Sequence, residues 1–137
     1  MTRSYLLDTN IISDLIREPQ GTVTQHIERV GPGQVCTNVV VACELRFGAR
    51  KSDSQKLAAR IDQLLSYLPV HPLEPGVDQA YARLRLALEQ KGRPIGPNDL
   101  LIAADALTRG CTLVTDNMRE FRRIAGLAVE NWRLLPE

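Results

Sequence analysis

The chain has 137 residues, of which 44% are hydrophobic, and its 17 basic and 16 acidic residues give a formal net charge of +1. This length suits a single core, so residues 1–137 are predicted to form one domain. No apolar run approaches the roughly 20 residues that span a bilayer, and the N-terminus shows no secretion signal, which predicts a cytoplasmic protein without a membrane segment. Three cysteines, Cys36, Cys43 and Cys111, have apolar neighbours and no C-x-x-C spacing, which is typical of reduced core residues. The near-neutral charge by itself does not indicate a nucleic-acid partner.

Short β-like runs alternate with longer helical ones, which is typical of an α/β fold with a mostly parallel sheet. In the first half of the chain, strands are predicted at residues 4–8 and 34–38, and helices at 9–18, 22–30 and 39–50. Pro19 ends the first of these helices, because proline cannot continue one. Thr37 or Asn38 suits the N-cap of the third helix.

The second half of the chain continues the alternation. Helices are predicted at 52–68, 76–90 and 99–110, strands at 70–73, 111–115 and 127–132, and a short helix ending at Phe121. Pro69 ends the first of these helices, and Gly110 suits a helix C-terminus. Residues 91–99 carry the signals of a turn. No internal repeat or linker divides the chain.

Four acidic residues occupy positions where an uncompensated charge is unusual. Asp8 and Asp116 each follow a predicted strand, and ligands bind at the carboxyl ends of the strands in open parallel sheets. Asp99 stands at a helix start, and Glu44 lies inside an apolar helix, where an unpaired charge needs a partner, a metal or a wet cleft. Clustered carboxylates repel one another, and a hard divalent cation such as Mg²⁺ or Mn²⁺ is the usual remedy.

Each of these acids also has an ordinary structural explanation when it is taken alone. Asp8 and Asp99 suit helix caps or first-turn charges. Glu44 can reach solvent at the edge of its helix, and Asp116 can be a turn residue. The convergence of all four on element ends or an apolar setting favours a shared site.

Four stretches, in this order and spread over nearly the whole chain, resemble the PIN-domain family, most closely the VapC-type toxins of bacterial toxin–antitoxin modules: "LLDTNIIS", "ELRFGA", "GPNDLLIAADAL" and "LVTDNMREF". The resemblance implies a three-layer α/β/α fold and an endoribonuclease that needs Mg²⁺ or Mn²⁺ and hydrolyses RNA phosphodiester bonds with a metal-activated water. It also implies inhibition by a cognate VapB-type antitoxin. Members of the family cleave structured RNA, often transfer RNA.

Matched motif by motif, the resemblance assigns catalytic positions to Asp8, Glu44 and Asp99. Many PIN domains place a fourth acid two residues after the strand-ending threonine, which here is Asn117. This chain instead has Asp116 one residue after the threonine. Asp116 is favoured as the fourth catalytic position, with the amide oxygen of Asn117 as the alternative, and the predicted metal ligands are Asp8, Asp99 and Asp116.

Polar and basic residues near these motifs are further candidates. The predicted supporting residues are Thr9, Asn10, Asn98, Thr115 and Asn117. Each of them can equally be a helix cap or an ordinary strand-end or turn residue. RNA contact requires basic groups near an acidic site. The candidates for this contact are Arg46, Arg119 and Arg122. An ordinary solvated charged surface explains the presence of these arginines equally well.

Other protein classes fit the sequence less well. A dehalogenase-type phosphatase would need an acid where Asn10 stands, and a phosphoacceptor receiver domain would need a lysine after a late strand. The alternative that stays open is a catalytically decayed PIN domain that binds RNA or protein without cutting.

The apolar helix faces suggest two kinds of protein contact. One is a homodimer. The other is an antitoxin groove, with candidate lining residues Leu15, Ile16, Leu64 and Tyr67, for which core packing is the ordinary alternative.

Overall fold

The structure is a computed structural model that describes residues 4–136. Five strands are present among the described residues: Tyr5–Leu7 (β1), Val35–Asn38 (β2), Val70–His71 (β3), Thr112–Val114 (β4) and Val129–Glu130 (β5). The α-helices are Thr9–Arg17 (α1), Thr22–Val30 (α2), Val39–Lys51 (α3), Gln55–Tyr67 (α4), Val77–Gln90 (α5), Pro97–Arg109 (α6) and Met118–Phe121 (α7). Within residues 4–136, no helix has the length and apolar character needed to cross a membrane.

The strands form one parallel sheet in the order β3-β2-β1-β4-β5. Leu6 at the centre of β1 pairs with Cys36 of β2 on one side and with Leu113 of β4 on the other. Strands β2 and β3 lie on one side of β1, and β4 and β5 lie on the other. The carboxyl end of β1 therefore lies at the point where strand order reverses. This is where parallel α/β sheets bind ligands.

The centre of the sheet is fully buried. Both β1 and β4 are buried along their whole length, as expected of parallel strands that helices cover on both faces. Ile11 and Ile12 of α1 and Ile102 of α6 are completely buried against this sheet region. The predicted three-layer α/β/α arrangement with a mostly parallel sheet is confirmed.

The predicted helix starts differ from the observed ones by more than one residue at two places. Helix α6 begins at Pro97, two residues before the predicted start at Asp99, so Asn98 also lies in its first turn. Proline suits this position because the first helical residues need no backbone N–H partner. Helix α4 begins after Ser54, whose hydroxyl accepts a hydrogen bond from Leu57 N at 3.1 Å and thereby sets the start.

The prediction that all three cysteines are core residues is wrong for one of them. Cys36 in β2 and Cys111 directly before β4 are buried, but Cys43 is exposed. It lies on α3 between Ala42, which is buried, and Glu44, which is half-buried. Apolar neighbours in the sequence therefore misled the prediction, because consecutive residues of a helix point in different directions.

Candidate metal centre

Three carboxylates meet at the carboxyl edge of the sheet. Asp8 follows β1 directly, Glu44 lies in the second turn of α3, and Asp99 lies in the first turn of α6. One oxygen from each of the three lies within 4.8 Å of the others. We call Asp8, Glu44 and Asp99 the metal centre, and all three were predicted from the sequence as site residues.

Asp8 is held by hydrogen bonds on both carboxylate oxygens. Thr9 N donates to Oδ1 at 2.8 Å, and the Thr115 hydroxyl donates to Oδ2 at 2.8 Å. Asp8 is thus the N-cap of α1 and also faces the other two carboxylates. The Thr115 hydroxyl thus bonds Asp8, which follows the neighbouring strand β1, and not Asp116, the next residue in the chain.

Thr9 links two members of the metal centre. Its backbone N–H binds Asp8, and its hydroxyl donates to Glu44 Oε1 at 2.6 Å. Because Thr9 is the first residue of α1, this bond joins the start of α1 to the side chain from α3. Thr9 thus ties two carboxylates of the metal centre together, while its predicted supporting role in the activity stays a prediction.

Burial and mutual repulsion shift the proton affinities in the metal centre. Burial raises the pKa of Asp8, which is only 5% exposed, and the charges of Glu44 and Asp116 add to this, while the bonds from Thr115 and Thr9 oppose it. Burial also raises the pKa of Asp99 to about 6, with further contributions from Asp8, Glu44 and Glu120. Both carboxyls thus resist ionisation when no cation is present.

The donor atoms of the metal centre fit a hard divalent cation. All are carboxylate oxygens, the ligand type that Mg²⁺ and Mn²⁺ prefer. Within residues 4–136, no lysine or arginine forms an ion pair with Asp8, Glu44 or Asp99. Within the described residues, the three carboxylates of the metal centre therefore have no lysine or arginine as a counter-ion. They could hold a metal ion in its place.

Comparison with known proteins identifies the family. A family model described as the PIN domain matches residues 5–127. The chain belongs to the PIN domain family. The chain is 37% identical over 130 residues to Ribonuclease VapC2 of Rickettsia felis and 34% identical over 129 residues to the tRNA(fMet)-specific endonuclease VapC of Shigella flexneri. Each match covers 93% of this chain and 97% of the relative.

Solved structures of PIN-domain proteins share the whole fold. A chain in the crystal structure of VapBC2 from Rickettsia felis bound to a DNA fragment from their promoter superposes with a TM-score of 0.85 at 36% identity, covering 93% of this chain and 98% of that one. A chain of DNA-bound VapBC from Salmonella typhimurium gives a TM-score of 0.88 at 30% identity, covering 95% and 98%.

Asp116, the predicted fourth acid of this PIN domain, lies beside the metal centre but is not one of the three grouped carboxylates. Its Oδ1 accepts a bond from Asn10 Nδ2 at 3.3 Å, and its Oδ2 accepts one from Arg133 Nη1 at 3.0 Å. Its charge still contributes to the raised pKa of Asp8. The assignment of Asp116 to the metal stays a prediction.

Glu120 is a neighbour of the metal centre that the sequence analysis missed. Its charge contributes to the raised pKa of Asp99. The Asn117 side-chain amide donates to Glu120 Oε2 at 3.1 Å, so the predicted supporting residue Asn117 orients this acid. Glu120 lies on α7, which has only four residues, so no periodic pattern marked it. The one signal in the sequence was its place near the end of the motif "LVTDNMREF".

The remaining predicted residues lie at the surface. Asn98 is exposed in the first turn of α6, whose N-cap is Gly96, so it is not the cap of this helix. Arg46 pairs with Asp62 Oδ1 at 2.6 Å on the neighbouring helix α4. Two further candidates for RNA contact are exposed, Arg119 and Arg122. Their role in RNA contact stays a prediction.

Proposed function

We propose that the protein is an endoribonuclease that requires Mg²⁺ or Mn²⁺ and acts as the toxin of a type II toxin–antitoxin module. The observation that carries the proposal is the meeting of Asp8, Glu44 and Asp99 within 4.8 Å in a PIN domain. The relatives named as VapC ribonucleases match almost the full length of this chain, which supports the same activity here.

The proposed division of labour follows from the contacts. Asp8 and Asp99 are the proposed cation ligands, Asp116 is kept as a third, and Glu44 completes the negative pocket. When bound, the cation would supply Lewis-acid stabilisation of a phosphodiester and a water activated for attack. Thr9 and Thr115 donate to the two oxygens of the Asp8 carboxylate, which supports the proposal that this ligand is oriented before a cation binds.

A VapB-type antitoxin is the proposed protein partner, because the similar structures are VapBC complexes. Leu15, Ile16 and Pro19 of the α1 region face Leu64 and Tyr67 of α4 across a cavity of about 360 Å³. Tyr67 is 79% exposed, so this cavity offers apolar surface to an amphipathic helix. We propose it as the antitoxin groove.

Further parts of the proposal concern assembly, place and substrate. Phe47 of α3 and Leu86 of α5 are exposed apolar side chains that a homodimer could cover. A toxin that cuts cellular RNA acts in the cytoplasm, which is the proposed location.

Transfer RNA is the first substrate to test, because the relative from Shigella flexneri is named for a transfer RNA.

The proposal predicts metal-dependent cleavage of RNA by the purified protein after removal of any antitoxin. Incubation of bacterial transfer RNA with the protein and Mg²⁺ or Mn²⁺ should yield defined fragments on a denaturing gel, and a chelator should stop their formation. Excess cation should restore cleavage. RNA binding without cleavage under every metal condition would instead support the decayed PIN domain.

A further inference from the structure

A short segment after β5 brings an arginine to the edge of the metal centre. We define residues 131–134 as the C-terminal segment. Its Arg133 places Nη1 at 3.0 Å from Asp116 Oδ2 and Nε at 3.5 Å from Asp14 Oδ1. These two carboxylates belong to different parts of the chain, one after β4 and one on α1. The Arg133 guanidinium, which comes from a third part of the chain, therefore bridges the two carboxylates.

The C-terminal segment is fixed on both sides of this arginine. Before it, the Trp132 ring is fully buried and stacks on His26, with centroids 5.2 Å apart and planes at 3°. After it, the Leu134 carbonyl lies 2.7 Å from His26 Nε2. Because Arg29 Nη2 can only donate and lies 3.0 Å from Nδ1, Nδ1 is the acceptor and Nε2 carries the proton that Leu134 accepts.

The held guanidinium lies close to the proposed cation ligands. Its partner Asp116 is near enough to Asp8 for its charge to oppose Asp8 ionisation. Asn10, which also binds Asp116, and Asp14 are four residues apart on α1 and share one face of that helix. The arginine thus lies beside the first two turns of α1, on the flank of the metal centre where Asp116 stands.

The guanidinium has unused hydrogen-bonding capacity. Arginine carries five N–H donors, and within residues 4–136 the bond to Asp116 is its one side-chain hydrogen bond. The side chain is 45% exposed. A planar group with spare donors, already held in place, can bind a phosphate with little further loss of conformational freedom.

The carboxylates around the metal centre make the approach for RNA electrostatically unfavourable. Asp8, Glu44 and Asp99 lie together with Asp116 and Glu120 nearby, so the approach to the metal centre is strongly negative and repels an RNA backbone. A bound cation would offset part of that charge and would act on the reacting phosphate. A separate positive group can attract a neighbouring phosphate and strengthen binding.

We propose that Arg133 is a substrate-binding residue that contacts a backbone phosphate of the RNA next to the cleaved one, presented by the C-terminal segment. This inference rests on the proposed ribonuclease function and adds to it a specific RNA contact. The competing explanation is that Arg133 only positions Asp116. The two explanations differ in salt dependence, because a phosphate contact releases counterions and an internal ion pair does not.

The test measures binding of unfractionated bacterial transfer RNA to the full-length protein across a KCl series. All variants carry Asp99→Asn to suppress cleavage. Adding Arg133→Ala should weaken binding roughly tenfold and lower the salt slope by about 0.7 to 1. The matched control is Arg85→Ala, which removes an exposed arginine that pairs locally with Glu89, and it should change neither quantity.

Two further variants keep the test decisive if the alanine variant folds poorly. Arg133→Gln can still donate to Asp116 but has no charge, so it should lose the same salt slope as the alanine variant. Arg133→Lys keeps a charge and should keep the slope. An unchanged affinity and slope in Arg133→Gln and Arg133→Ala would overturn the proposal.

Cleavage kinetics separate phosphate binding from the positioning of Asp116. In the background with Asp99 intact, Arg133→Ala should raise KM for transfer RNA about tenfold while kcat changes less than about threefold. An equal fall in kcat and kcat/KM, matching that of Asp116→Asn, would overturn it. RNA binding is scored without cleavage, so a parent protein that cuts no RNA would refute the ribonuclease function while the salt series still judges Arg133.

Discussion

At the scale of single residues, two carboxylates of the metal centre differ in kind: Asp8 is held by hydrogen bonds, and Asp99 has a raised pKa. Asp8 accepts hydrogen bonds on both oxygens and is almost fully buried. Asp99 has its pKa raised to about 6 by burial and by its acidic neighbours. A cation would relieve the repulsion between them, so the metal-free protein carries a cost that cation binding removes.

This cost predicts the behaviour of Asp99→Asn in thermal melts. With chelator at neutral pH, the variant should melt at the same temperature as the parent or a few degrees higher, because the repelling charge is gone. With excess Mg²⁺ the parent should gain stability and the variant should gain much less, since stabilisation follows cation affinity for the folded state. A variant that melts several degrees lower in chelator, or gains as much from Mg²⁺, would make Asp99 a structural residue.

The pH dependence has a defined sign. The folded-state pKa of Asp99, about 6, lies above the ordinary value of 3.8, so the folded protein holds this proton more tightly than the unfolded chain. The resulting cost to folding is absent below about pH 4 and complete above about pH 6. The difference in melting temperature between Asp99→Asn and the parent in chelator should therefore grow as the pH rises from 4 to 7.

A second prediction at this scale ranks the candidates for the fourth acid. Asp116 is the proposed third cation ligand, and its charge adds to the raised pKa of Asp8, whereas the charge of Glu120 adds to the raised pKa of Asp99. Asp116→Asn should therefore weaken Mg²⁺ affinity about tenfold, measured by calorimetry, and more than Glu120→Gln does. Asn117→Ala should have a smaller effect, because it only releases Glu120. The largest loss in Glu120→Gln would move the fourth position to Glu120.

At the scale of elements, a buried polar chain connects α6 to the start of α3. Asn38 caps α3 by accepting from Val41 N at 3.1 Å, and its amide donates to Asp105 Oδ2 at 2.8 Å. Arg109 Nε donates to the other oxygen of Asp105 at 3.0 Å. Asp105 therefore uses both of its oxygens on Arg109 and on the N-cap residue of α3, the helix that carries Glu44.

The chain offers a matched pair of ion pairs for a stability test. Asp105 is fully buried, and its loss would leave the buried Asn38 amide without its acceptor and remove the carboxylate that pairs with Arg109, so Asp105→Ala should lower the free energy of unfolding by about 3 kcal/mol. Asp62 pairs with Arg46 at the surface, and Asp62→Ala should cost less than about 1 kcal/mol. Urea denaturation measures both. Equal losses would show that the buried chain does not anchor α3.

At the scale of the whole molecule, sheet order is what joins distant motifs into one site. Central β1 delivers Asp8, while α3 follows the neighbouring β2 and α6 precedes β4 on the other side. The sequence predicted this convergence because strand ends, caps and the four motifs are local patterns. The helix at Thr22–Val30 was predicted to the residue for the same reason.

The contacts that the sequence did not predict are those between distant side chains. Thr115 bonds Asp8, which is 107 positions away, and not its neighbour Asp116. Arg133 reaches the site from a segment with no regular structure, where periodicity carries no information about side-chain direction. Glu120 lies on a helix of only four residues, too short for a periodic pattern. Each depends on how elements pack, which a single sequence does not encode locally.

The most direct test of the metal centre as the site of RNA cleavage is the cleavage rate of Asp8→Asn at saturating Mg²⁺. The replacement keeps the size of the side chain and removes the charge of the central carboxylate. We predict a rate at least about a hundredfold below that of the parent, because Asp8 is a proposed direct ligand and loss of even an outer contact of a metal site costs about 10- to 100-fold. Glu28→Gln, which neutralises an exposed acid on α2, should cleave at the parent rate. Near-parent cleavage by Asp8→Asn would contradict the account.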